Sequence, residues 1–138
     1  MGRSLLYNGA TYDVRHGNTD AILLVSGART SLQTSLDQIN YNWRGALFYF
    51  NVSAVPGTDT VQLVIDGKDP ASGTYRAIYS ATATAATGLS AHALYPGATS
   101  AAGFTAASSQ ILPRTWRWRI VHSASTSFTY SLGISYIV

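Results

Sequence analysis

Along most of the chain apolar and polar positions alternate with period two, and no stretch sustains a helical period. In SFTYSLGISYIV the even positions Phe128, Tyr130, Leu132, Ile134, Tyr136 and Val138 are apolar. The odd positions Thr129, Ser131, Gly133 and Ser135 are small or polar, as in a strand with one face on a core. RGALFYFNVSAV sets Ala46, Phe48, Phe50 and Val52 on one face and Leu47, Tyr49, Asn51 and Ser53 on the other. VQLVID alternates Val61, Leu63 and Ile65, and the turn-rich run DGKDPASG joins it to TYRAIYSA, which predicts a hairpin with a longish loop. AILLV and GLSAHALYPG add short strands. Seven or eight strands separated by turn signals predict an all-β fold, an antiparallel β-sandwich of jelly-roll or Ig-like type.

Two stretches depart from this pattern. TSLQTSLDQINYNW has room for a helical turn, but its Thr, Asn and Tyr content favours an extended connection. GATSAAGFTAASSQ offers only Phe104 as an apolar anchor and predicts a long surface loop. With no internal repeat, residues 21–138 form one expected sandwich domain. Residues 1–20 form an N-terminal arm or a first hairpin, carrying the apolar cluster Leu5, Leu6 and Tyr7 beside Arg3 and Arg15.

LPRTWRWRIVHS alternates aromatic and basic residues, and the phase of the strand decides what that means. Trp116, Trp118 and Ile120 share one face, and Arg117, Arg119 and Val121 share the other. The tryptophan face belongs in the core, since aromatic side chains fill a half-buried pleated surface well. Nucleic-acid binding would need aromatics and cations on one exposed face, so that bases stack while phosphates are neutralised. Alternation separates them. The arginine face, with Arg114, is then either a solvated edge or a docking surface for an acidic protein partner.

Composition sharpens this picture. Charged residues make up only 11% of the 138, and Ser, Thr, Ala and Gly take their place. Such a surface suits close packing against a neighbour better than life as a well-solvated monomer. Net charge is +3, eight of the nine basic residues are Arg, and Glu is absent. Arg suits fixed, bidentate contacts, but so small and dispersed a charge does not track a polyanion. Cysteine is absent, which excludes disulfide and thiolate chemistry. AILLV is too short to span a bilayer, so no membrane association and no secretion route are expected.

The catalytic inventory is thin. His16, His92 and His122 lie far apart, without zinc-binding spacing. His122 falls on the tryptophan face, where a partly buried, hydrogen-bonded histidine is expected. Asp66 and Asp69 are placed in the hairpin loop as turn formers. No nucleophile elbow, phosphate loop or carboxylate pair is present. No enzyme activity, metal or cofactor is expected.

The chain also resembles a family of small proteins encoded by tailed bacteriophages and prophages. The shared pattern is ART, then NYNxRG, GKDPASG, YPG, LPRTWR and TYS, found here from Ala28 to Ser131. The likeness covers roughly residues 28 to 138 and implies a virion structural component, made in the bacterial cytoplasm and located on the virion. The expected role is a capsid decoration (cement) protein, with the major capsid protein or another virion protein as partner and with homo-oligomers. Its expected partner surface comprises Arg114, Arg117, Arg119, Arg3, Arg15, Leu5, Leu6 and Tyr7. The alternative is a carbohydrate- or receptor-binding module, with Tyr41, Trp43 and Tyr95 as stacking platforms, or a minor component of a phage tail, fibre or head spike.

Overall fold

A computed structural model describes residues 17–138, together with the backbone of β1 (Arg3–Tyr7) and β2 (Ala10–Val14), which pair antiparallel in a sheet of their own. The rest is an all-β sandwich. One sheet has the order β10-β9-β6-β12-β3, from β3 (Thr19–Arg29), β6 (Gly45–Ala54), β9 (Gly88–Leu94), β10 (Ala106–Ser108) and β12 (Phe128–Ile137). The other has the order β4-β11-β7-β8, from β4 (Gln33–Thr34), β7 (Val61–Lys68), β8 (Tyr75–Ser80) and β11 (Thr115–His122). β5 (Gln38–Ile39) also pairs with β11. Among the described residues no helix is long and apolar enough to cross a membrane.

Ten strands build the sandwich, against the seven or eight expected. The extra ones are two- and three-residue pieces, too short to carry a period. β4 and β5 lie in TSLQTSLDQINYNW, which is extended, and β10 lies in the stretch expected to be loop throughout. β10 also runs parallel to β9, so the first sheet is mixed.

The alternating residues meet between the sheets. Phe48, Phe50, Val52, Phe128, Tyr130, Leu132 and Ile134 of the first sheet are buried against Val61, Leu63, Ile65, Trp116, Trp118 and Ile120 of the second. Phe48 meets Trp116 edge-on across the gap, with ring centroids 5.7 Å apart, a favoured aromatic geometry. The strand phase inferred for TWRWRI holds: Trp116 is fully buried, and Arg117 and Arg119 lie on the outer side.

The recurrent motifs turn out to be corners. In NYNWRG, Asn40 Oδ1 accepts from the Asn42 and Trp43 amides, while Nδ2 donates to the Trp43 and Leu112 carbonyls. This buried side chain therefore ties that corner to the start of LPRTWR. Gly45 is required because a Cβ there would sit 2.0 Å from the Leu94 carbonyl oxygen. In DPASG, Asp69 accepts from the Ala71 and Ser72 amides and Gly73 takes a positive φ of 73°, a turn in which Asp is the organiser.

Candidate functional site

Three features of the sandwich could meet a partner or ligand: the outer face of each sheet and a cavity between them. The outer face of the β11-β7-β8 sheet carries the charge. Antiparallel register sets Arg117 opposite Asp66 and Arg119 opposite Val64. Both guanidiniums converge on Asp66: Arg117 Nε at 2.8 Å, Arg119 Nε at 2.6 Å and Arg119 Nη2 at 2.9 Å. Asp66 is therefore not the loop turn-former expected. It lies in β7 and is 1% exposed beneath the two arginines. Burial alone would raise its pKa, but the hydrogen bonds from Arg119 and Arg117 outweigh that and hold it below the usual carboxylate range. Arg117 also stacks on Tyr75, its guanidinium carbon 3.6 Å from the ring centroid. The Tyr75 hydroxyl donates to Asp37, which Lys68 Nζ meets at 2.6 Å. The network runs from Asp37 to Arg119, with every cation in it opposite an anion.

The outer face of the other sheet is its opposite in chemistry. Register aligns Leu47, Tyr49 and Asn51 of β6 with Ser135, Gly133 and Ser131 of β12, and on the far side with Ala93, Ala91 and Leu89 of β9. Ile22 of β3 continues the Gly133–Tyr49 row and is 77% exposed; Leu89 is 65% exposed. Across these rows Asp20 is the one charged side chain, and its carboxylate accepts from the Ser135 hydroxyl. At the edge, Arg29 folds back over β3 and donates to the carbonyls of Val25, Gly27 and Tyr130. Its guanidinium lies beside the Tyr130 ring and takes up carbonyls of both strands where the β3–β12 register shifts, so it fills the bulge in that ladder. Among the described residues nothing covers Ile22, Tyr49 or Leu89 on the outer face, which is hollowed between β3 and β12.

Of the expected partner-surface residues, the structure brings together Arg117 and Arg119. Arg114 is exposed just before β11. Arg15 and the side chains of Arg3, Leu5, Leu6 and Tyr7 lie outside the described residues, as does His16. The supposed stacking platforms are dispersed: Trp43 stacks on Tyr136 at 5.4 Å, Tyr95 is half-buried and Tyr41 is exposed.

Both described histidines bridge the sheets to a tyrosine. His122 of β11 meets the Tyr130 hydroxyl of β12 at 2.8 Å through Nε2, as expected of a partly buried histidine, and its Nδ1 finds no well-formed hydrogen bond among the described residues, the Thr126 backbone being its polar neighbour. His92 of β9 meets Tyr79 of β8 at 2.7 Å through Nδ1 and Ser90 at 2.8 Å through Nε2. Burial lowers the pKa of both, an effect the Thr126 backbone partly opposes at His122. Burial pushes the Tyr130 phenol up to about 12, against the pull of Arg29.

His92 and Ser90 line a cavity of about 350 Å3 at the edge of the sandwich. One wall is the inner face of β6 and β9; the other is the segment after β8, residues 81–87, with sequence ATATAAT. Small side chains opposite Phe50 and Val52 cannot fill the space between the sheets. A run of Ala and Thr where a sandwich needs bulk was the sequence signal for this cavity, and the period-two pattern does not register it. No cluster of three or more metal-ligating side chains occurs among the described residues.

Comparison of the chain with models of protein families, with curated proteins and with solved structures finds no match.

Proposed function

We propose that this protein is a structural component of a tailed-bacteriophage virion, a capsid decoration protein that binds the assembled shell through protein–protein contacts and performs no catalysis. The observation that carries this proposal is the outer face of the β9-β6-β12-β3 sheet. It spans four strands, is built of Leu, Ile, Tyr, Ala, Asn, Ser and Gly, and is hollowed between β3 and β12; Asp20 is the single charge across its aligned rows. Contiguous uncharged faces of this kind mark interaction surfaces, and the cores of protein interfaces are depleted in charge. The low overall charge and the phage-like motifs support the same role. Many identical copies on a lattice can each bury a modest interface and still bind with high avidity.

The experiment is reconstitution on undecorated particles, with copies counted on gels and located by cryo-electron microscopy. Decoration expects many copies spread over the whole shell. Copies confined to one vertex, tail or fibre, or none at all, overturn it. Tyr49→Lys combined with Ser131→Lys sets two charges in the middle of the uncharged face and should abolish binding while thermal melting is unchanged. Binding through that face should also persist as salt rises. Binding through Arg114, Arg117 and Arg119 would weaken, because exposed ion pairs are screened beyond about 10 Å at 0.1 M salt.

A further inference from the structure

We propose that the cavity beside His92 binds a small, uncharged, mainly apolar molecule that carries one hydrogen-bond donor, of the class of a bicyclic phenol. This goes beyond shell binding and does not depend on it. The size comes first. A cavity of about 350 Å3 lies within the range of small-molecule sites, roughly 300–1,000 Å3. It is more than twice the roughly 150 Å3 of an apolar cavity that takes up benzene, so two fused rings fit.

Charge comes second. His92 is the one ionisable side chain in the lining, and its burial, with no carboxylate beside it in the lining, favours the neutral ring. Ser90 Oγ donates its single proton to the Phe50 carbonyl, 3.0 Å away. It therefore accepts from His92 Nε2–H, and Nδ1 of the neutral ring accepts from the Tyr79 hydroxyl. A charged ligand would find no counter-charge among the lining side chains, and the part of it facing Phe50 and Val52 would lose water without compensation. Thr82, Thr84, Thr87 and Thr105 add hydroxyls to the lining, but its one phenyl ring, Phe50, is buried, so a sugar would find no open aromatic face to stack on.

Polarity comes third. Phe50, Val52, Ala81, Ala83 and Ala106 make most of the wall apolar. Ser90 Oγ has donated its proton and accepted one hydrogen bond, so one lone pair remains. That lone pair calls for a ligand O–H or N–H. The relay through Tyr79 and His92 holds the serine with this orientation, so the site is set before the ligand arrives.

The test uses three matched probes on the full chain, 2-naphthol, naphthalene and 2-naphthoate, read by thermal melting and by amide NMR titration. The expected order is 2-naphthol first and naphthalene about threefold to tenfold weaker, the factor of one hydrogen bond, with no binding of 2-naphthoate. Amide shifts should centre on residues 81–90 and 105–106. Ala83→Phe and Ala106→Phe, which fill the cavity from opposite walls, should each abolish binding with melting unchanged. Ser90→Ala should bring 2-naphthol down to naphthalene. No binding of 2-naphthol, equal binding of 2-naphthoate, or binding that survives both filling variants overturns the proposal.

Discussion

Replacing Asp66 with asparagine removes one negative charge from beneath two guanidiniums and changes almost nothing in volume. The wild-type carboxylate accepts three charge-assisted hydrogen bonds at 2.6–2.9 Å and is 1% exposed. An asparagine keeps one acceptor oxygen and turns an NH2 donor toward a guanidinium that is itself only a donor. At least one bond is lost, each such bond contributing about 1.5–3 kcal/mol, and a cation is left without its anion. Removing one partner of a fully buried pair costs about 3–5 kcal/mol. The side chains of Arg117 and Arg119 are 26% exposed and can turn partly to water, which sets the expected loss at about 2–4 kcal/mol. Urea unfolding at pH 7 reads this as a lower midpoint at unchanged slope. In an Arg117→Gln, Arg119→Gln background the same change should cost far less, since the charges it stranded are gone. The sign with pH follows from the lowered pKa. Near pH 4 the native state binds fewer protons at Asp66 than the unfolded chain, so its contribution is full above about pH 4 and falls as pH drops through the native pKa. Asp66→Asn should lack that part of the acid loss. A cost below about 1 kcal/mol, or an equal cost without the arginines, would refute the account.

Three further outcomes are expected. Trp116→Ala empties a fully buried site that packs edge-on against Phe48 and should cost about 3–5 kcal/mol; Arg114→Ala, at an exposed position, should leave the denaturant midpoint near wild type. His92 and His122 have lowered pKa values, so their contribution is full above about pH 6.5 and is lost as pH falls through the native values. A His92→Gln, His122→Gln variant should show a flatter stability profile between about pH 6.5 and 5, and a profile parallel to wild type would contradict this. Gly45→Ala drives a methyl to 2.0 Å from the Leu94 carbonyl oxygen, and circular dichroism melts should show a clearly lower midpoint; a wild-type midpoint would mean that the β6–β9 corner yields freely.

Alternation by itself determined which face of each long strand turns inward, because a period of two sorts side chains locally and burying the wrong set would expose a whole row of large apolar groups. Trp116, Trp118, Phe48, Tyr130 and Leu63 were legible as core on that ground, and DPASG as a turn because Asp69 bonds the backbone two and three residues on. The short strands β4, β5 and β10 were not legible, because their pairing is fixed by what β11 and β9 offer from far along the chain. Asp66 went the same way: beside a turn-rich run it reads as loop, and only the arrival of β11, fifty residues later, places two guanidiniums over it and makes its burial possible. The uncharged outer face and the cavity belong to tertiary structure too. Leu47, Leu89, Ser131 and Ile22 are unremarkable polar-face residues singly, and strand order makes them one surface. Residues 81–87 become a cavity wall because Ala81 and Thr84 carry the pairing with β7 past the end of β8, where alanines and threonines face Phe50 and Val52 across a gap they are too small to close.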